Sequence, residues 1–201
     1  MIKEGDIIKF GKYPQGFKGL IEPIEWLVLE VKPDEALLIS RYALDCKEFD
    51  KHKFTDITWE DCDLRKWLNN DFIKSAFSEE ETRLIKISEL DNGESSFYET
   101  VAEKNTKDYI FCLSVDEAEK YFKNDRDRRC KPTYFSLEQG TNYDLLTMTC
   151  RWWVRSLGEP YLHRIGVIDT LGNYDQSQCT FDFVTVAVRP ALRLILNRGE
   201  L

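Results

Sequence analysis

Apolar and branched residues gather in short runs over the first forty positions: IIKF (Ile7–Phe10), IEWLVLEV (Ile24–Val31) and ALLIS (Ala36–Ser40). Runs of this length, separated by the turn-forming stretches YPQG and KPDE, predict strands. The second and third read as a hairpin across Lys32–Glu35. From Asp61 the period changes: Leu64, Trp67, Leu68, Phe72 and Phe77 recur at helical spacing, with Arg65, Lys66, Asn69 and Asn70 between them. Two capping boxes follow, Ser78 with Glu81 and Ser114 with Glu117. In each, a serine hydroxyl and a carboxylate three residues on satisfy each other's free amides, which predicts helix starts at both places. YIFCLS (Tyr109–Ser114) has strand composition. Residues 89–107 are polar and irregular, a loop or insertion, and residues 123–149 show no clear period. Beyond them lie four strand-like runs: WWVRS (Trp152–Ser156), HRIGVI (His163–Ile168), CTFDFVTVAV (Cys179–Val188) and ALRLIL (Ala191–Leu196). Strands, then helices, then strands predict an α+β fold with a mixed, mostly antiparallel sheet and flanking helices. One domain over 1–201 is expected, with N-terminal strands at 1–45, a helical middle at 60–125 and C-terminal strands at 150–197.

Composition narrows the chemistry. With 201 residues, 42% of them hydrophobic and 13% aromatic, the chain can build a large core without metals or disulfides. A formal charge of −8 repels phosphate backbones and argues against a nucleic-acid partner. KNDRDRRCK (Lys123–Lys131), with five basic residues against Asp125 and Asp127, is a local exception; a solvated loop is favoured there over an anion site. The N-terminus MIKEGDIIKFGKY lacks the apolar run of a signal peptide, and no later stretch approaches ~20 apolar residues. The expectation is a cytoplasmic protein with no membrane partner.

Recognisable catalytic motifs are missing. There is no P-loop, GxGxxG or GxSxG. The six cysteines (Cys46, Cys62, Cys112, Cys130, Cys150, Cys179) contain no CxxC pair, and the two histidines, His52 and His163, form no metal pattern. Neither a metal nor a cofactor is expected, and the thiols are expected to be reduced and mostly buried. DNGE near residue 91 lacks the alternating ligands of a calcium loop.

CRWWVRS (Cys150–Ser156) offers the sharpest choice. As a strand it sends Arg151, Trp153 and Arg155 to one side and Trp152, Val154 and Ser156 to the other. Trp152 reads as core. Trp153, between two arginines, is either a ligand-facing platform or a buried aromatic with satisfied guanidinium neighbours, the second being favoured. Arg189 in AVRPAL needs carboxylate or carbonyl partners if buried, with Asp63, Asp169 or Asp182 as sources of a carboxylate. Pro190 cannot donate to a ladder and marks an edge or a bend. Trp26 and Trp67 read as core, and Trp59 as a residue stapling the helix start. Ligand-binding candidates lie in late loops: Tyr161 and His163 after Gly-Glu-Pro, and Asn173, Tyr174, Asp175, Gln176 and Ser177 after Leu-Gly.

WWVRS, GVIDTLGN (Gly166–Asn173) and VAVRPALRL (Val186–Leu194) resemble the WWLRS, V-x-x-x-G and GVRPAL signature of an uncharacterised bacterial family of unknown function. GDIIKFGKYPQ, PIEWLVLE, LRKWLNNDFIKSAFSEEE and DYIFCLSVDEAEKYF extend the resemblance over nearly the whole chain. Ala187 stands where many members have glycine, and Val154 where many have leucine. That family is similar to the C-type-lectin-like fold group, which includes the formylglycine-generating enzymes. The resemblance implies a loop-rich binding face, with Trp26, Trp67, Trp152, Arg155 and Arg189 as structural signature. It carries over no copper-binding cysteine pair, because none matches here. The leading expectation is therefore a non-catalytic module binding a protein, glycan or small polar ligand. The alternatives are a thiol enzyme using Cys150 or Cys179 with His163, and a structural or assembly subunit.

Overall fold

A computed structural model describes residues 2–51, 57–100, 102–158, 165–175 and 185–196. Its first three strands, β1 (Ile7–Pro14), β2 (Ile21–Val31) and β3 (Glu35–Ser40), form an antiparallel meander. The KPDE turn closes as expected, with the Lys32 amide donating to the Glu35 carbonyl at 2.8 Å. Along β2, Ile24, Trp26 and Val28 alternate into the core, the period-two pattern of a sheet with one covered face. β3 is buried at every position because it has a strand on either side and packing on both faces.

After the short β4 (Asp45–Cys46) comes the helical middle. α1 (Asp63–Trp67) runs through a π-helical turn (Leu68–Phe72) into α2 (Ile73–Ala76). The turn re-aims Asn69. Its side chain donates to the Arg65 and Ile110 carbonyls and accepts from the Tyr109 and Ile110 amides, tying the helix to the strand that follows much later. α3 (Glu79–Arg83) opens on the Ser78–Glu81 capping box, with both reciprocal bonds made. Then come β5 (Ile85–Lys86), β6 (Ser88–Leu90), β7 (Thr106–Asp108) and β8 (Ile110–Phe111). The Ser114–Glu117 capping box opens α4 (Val115–Tyr121).

Two further short helices occupy the stretch without a clear period. α5 (Asp125–Arg128) and α6 (Tyr134–Glu138) begin at Asn124 and Thr133, whose side chains accept the amides of Asp127 and Ser136. At four and five residues they are too short to leave a periodic trace. β9 (Trp152–Leu157), β10 (Ile165–Ile168), β11 (Tyr174–Asp175), β12 (Ala187–Val188) and β13 (Ala191–Ile195) complete the order.

The result is a mixed α+β fold with mostly antiparallel pairing and short helices. In the first sheet the order is β1-β2-β3-β13, and the far edge of β13 is shared by β8 at Ala191–Leu192 and β5 at Arg193–Leu194. The second runs β11-β10-β9-β12-β4, antiparallel except for β9 beside β12. β6 and β7 pair as a separate ribbon. The chain passes from the second sheet to the first at Arg189–Pro190, so Pro190 sits at a bend, where its missing amide costs no ladder bond. Its carbonyl accepts from the Ser40 amide at 2.9 Å. Among the described residues no helix is long and apolar enough to cross a membrane.

Gly172 (φ +92°) is required where the β10–β11 turn crosses α5, because a Cβ there would lie 1.8 Å from the Asp125 carbonyl oxygen. Gly5 shares the left-handed geometry (φ +88°) but faces open space. Gly5→Ala is expected to cost only the conformational strain, about 1–2 kcal/mol. Gly172→Ala adds a backbone collision and is expected to cost at least twice as much, read from urea unfolding of both variants.

Candidate functional site

Strand alternation in β9 gives two opposed faces, and both are interior. Trp152, Trp153 and Val154 are fully buried and Arg155 is 2% exposed. The Trp153 indole donates to the Lys47 carbonyl at 2.8 Å and meets Phe49 edge-on at 5.6 Å, so it presents no open face to a ligand. On the other side, Trp152 donates to the Arg128 carbonyl at 3.1 Å and lies under the Arg189 guanidinium, 5.0 Å from its ring centre. Phe122 covers the same guanidinium at 5.2 Å. The Arg189 donors go to the carbonyls of Ser40 (3.1 Å) and Arg128 (3.2 Å). Carbonyls and aromatic rings thus supply the partners for which carboxylates were the other option. Asp169 is occupied in its own turn by the amides of Leu171 and Asn173, and Asp182 lies outside the described residues.

Arg155 and its neighbour Ser156 are the residues of the segment that reach a cleft. The Arg155 guanidinium donates to Asn92 Oδ1 (2.8 Å), the Asp91 carbonyl (3.0 Å), the Cys112 carbonyl (3.0 Å) and the Glu117 carboxylate. It also lies 5.9 Å from the Phe111 ring centre. Four acceptors from three segments converge on one planar cation, and this fixes the start of the 91–105 loop against α4 and β9. Glu117 caps α4 and pairs with Arg155 through the same oxygen, Oε2.

Around this anchor lies a cleft of about 220 Å³. The loop contributes Asp91, Glu94 and Glu103, α4 contributes Asp116, Glu117 and Lys120, and Arg155 and Ser156 come from β9. Five carboxylates therefore face two cations, one of them Arg155, already engaged by internal acceptors. Asp116 is held by the Ser95 hydroxyl and the Ser96 amide, and Lys120 by Glu30 and Tyr121. Both oxygens of Glu103 accept from the Trp59 amide, at 3.1 and 3.2 Å. Burial pushes the Glu103 carboxyl up to about 7, an effect the Trp59 amide and the Arg155 charge only partly offset. A carboxyl poised near neutrality in a cleft is a physical marker of a functional position. Among the described residues no three-ligand group suited to a metal occurs.

The other anticipated residues are dispersed. Arg151 is half-buried just before β9, and its carbonyl accepts from the Ala187 amide. Asn173 is exposed, with its amide and side chain both bonded to Asp169. Tyr174 packs on Tyr98 at 4.6 Å, within electrostatic reach of Asp116; burial and these neighbours push its phenol up. Its hydroxyl is buried without a hydrogen-bond partner among the described residues. Asp175 is half-buried in β11. Tyr161, His163, Gln176, Ser177 and Cys179 lie outside the described residues, as does His52. Trp26 is buried and donates to the Phe10 carbonyl. Trp67 is only half-buried, against Phe72 and under the Lys47 ammonium. In the basic stretch, Arg128 is 4% exposed rather than solvated, bonded to Glu119, Asp125 and the Gly172 carbonyl. Cys150 is buried, and its thiol is pushed up by the hydrogen bond to Cys130 and by burial, the opposite of an activated nucleophile.

Asp91, Asn92, Glu94, Glu103 and Asp116 are not distinguishable by sequence pattern. The first four stand in the polar stretch read as a loop, and Asp116 in the first turn of a helix.

The fold and the cleft together define a mixed α+β domain with an acidic pocket built on a buried arginine. Residues 33–196 match the family model described as a domain of unknown function, DUF6273, and the chain belongs to that family. No curated protein and no solved structure matches it.

Replacing Arg155 by Met is expected to cost about 3–5 kcal/mol, because Glu117 and three polar oxygens lose their partner. Arg155→Lys, with a single ammonium in place of a planar fork, is expected to recover less than half of that in urea unfolding. Tyr174→Phe removes a buried hydroxyl that has no partner among the described residues and is expected to be neutral or stabilising by up to about 1 kcal/mol in the same assay.

Proposed function

We propose that this domain is a non-catalytic binding module of C-type-lectin-like architecture that takes a small polar ligand carrying an amine in the cleft beside Arg155. The observation carrying the reading is the imbalance of charge around the cleft: of the five carboxylates lining it, only Glu117 is paired with Arg155, whose other donors are turned to internal carbonyl and amide oxygens. An ammonium group entering there would meet Glu103, Asp116 and Glu94 without displacing a structural ion pair. Among the described residues the cleft lining contains no imidazole or thiol, which favours binding over nucleophilic chemistry.

Glu103 makes the reading sensitive to pH. Its carboxyl is raised from the ordinary 4.5 to about 7, so the folded state holds this proton more tightly than the unfolded chain does. Stability from this group is therefore fully present below pH 4.5 and declines as pH rises towards 7. A cationic ligand favours the ionised form, so its affinity rises over the interval in which the free protein loses stability. In thermal-shift and NMR titrations with a panel of small primary amines, amino sugars, neutral polyols and carboxylates, an amine is expected to bind several-fold more tightly at pH 8 than at pH 6. Glu103→Gln is expected to remove that pH dependence along with the pH-dependent loss of stability. Preferential binding of carboxylates or polyols over amines would overturn the assignment.

A further inference from the structure

The cleft leaves one cluster of reactive groups unexplained. Cys130 and Cys150 face each other across an isolated antiparallel bridge, with the Cys150 amide donating to the Cys130 carbonyl at 2.8 Å. Directly opposed residues in such a bridge project their side chains to the same side. Their Cα atoms lie about 4.5–5.5 Å apart, inside the roughly 4.4–6.8 Å that a disulfide spans. The Cys150 thiol donates to the Cys130 carbonyl at 3.5 Å, and the Arg189 charge acts on both sulfurs. That cation is itself fixed between Trp152 and Phe122. Two sulfurs in register beside an immobilised positive charge have the arrangement that favours a thiolate and places a resolving thiol next to it.

We infer that Cys130 and Cys150 form a reversible disulfide when the protein meets hydrogen peroxide, with Cys130 as the attacking thiol and Cys150 as the resolving one. The Cys130 thiolate attacks one peroxide oxygen; the O–O bond breaks, hydroxide leaves and takes up a proton as water, and Cys130 becomes a sulfenic acid. Cys150 then loses its proton and attacks the Cys130 sulfur, forming the S–S bond and expelling a second water. Two thiols are oxidised by two electrons in all, and one peroxide is reduced to two waters. The division of roles follows the surroundings: burial acts against both thiolates, but the neighbouring Cys150 thiol and the Arg189 charge hold Cys130 below the ordinary thiol range, while Cys150 is driven above it.

The disulfide would join the two ends of the segment 131–149. That segment carries α6 and a turn whose Leu145 and Leu146 are 77% and 95% exposed. Cys62 and Cys112 provide an internal comparison. They are also buried neighbours, but both thiols are pushed up and no strand register sets them opposite one another.

The experiment exposes the full chain to graded hydrogen peroxide, blocks remaining thiols under denaturing conditions and maps the peptides by mass spectrometry before and after dithiothreitol. The expected result is a Cys130–Cys150 cross-link formed before any other thiol is consumed and fully reversed by the reductant. In Cys150→Ala, Cys130 is expected to stop at a sulfenic acid that dimedone captures. The mapping on the unaltered chain needs no variant to fold. Three results would overturn the inference: both thiols still free when other cysteines have reacted, each thiol oxidised separately without joining, or a Cys62–Cys112 link forming first.

Discussion

A single guanidinium stands where the two sheets meet. Arg189 belongs to the two-residue passage between β12 and β13, and its partners come from distant parts of the chain: the Ser40 carbonyl at the end of β3, the Arg128 carbonyl at the end of α5, and the rings of Phe122 and Trp152. A cation 3% exposed is tolerable only where each face and edge is supplied with a partner. Meeting that requirement brings β3, α4, α5 and β9 to one point. The angle between the sheets, and with it the position of β9, depends on this convergence.

Arg155 repeats the principle on the other side of β9. There the partners belong to a loop and a helix start, and the outcome is a cleft, not a seam. Both arginines do structural work, yet they leave different residues nearby. Arg189 has two thiols in its field, while Arg155 has a ring of carboxylates whose protonation depends on burial.

How much of this could be read in the residues varies with range. The meander, the KPDE turn and both capping boxes were legible because each depends on neighbours within a few positions. The burial of Trp152 was legible from alternation, since Trp152 and Val154 share one side of a strand. Alternation alone left the Trp153 side undecided: it says that two faces differ, not that one must be wet, and here Phe49 and Lys47 close it. Helices α5 and α6 escaped notice because a single turn of helix, held by Asn124 or Thr133, has no period to detect. The acidic cleft was hidden for a different reason. Its members look like ordinary loop and helix-start residues until Arg155, more than fifty positions beyond Glu103, draws them together. The resemblance to a family of unknown function is met by the DUF6273 domain over residues 33–196.

The pairing of β13 has a kinetic side. This strand sits in the interior of the first sheet, yet among the described residues it is the last strand in chain order, with Ala191 matched to Ile39 and Leu194 to Ile85. A ribosome must release the chain as far as Ala191–Ile195 before the sheet can be finished. Until then, the inner edge of β3 lies open, with Leu37, Leu38 and Ile39 lacking their neighbour. Contacts this distant in sequence slow folding and lengthen the exposure of an adhesive strand edge. The nascent domain therefore depends on β13 to close that edge, and a chain halted before Ala191 would offer it to other molecules.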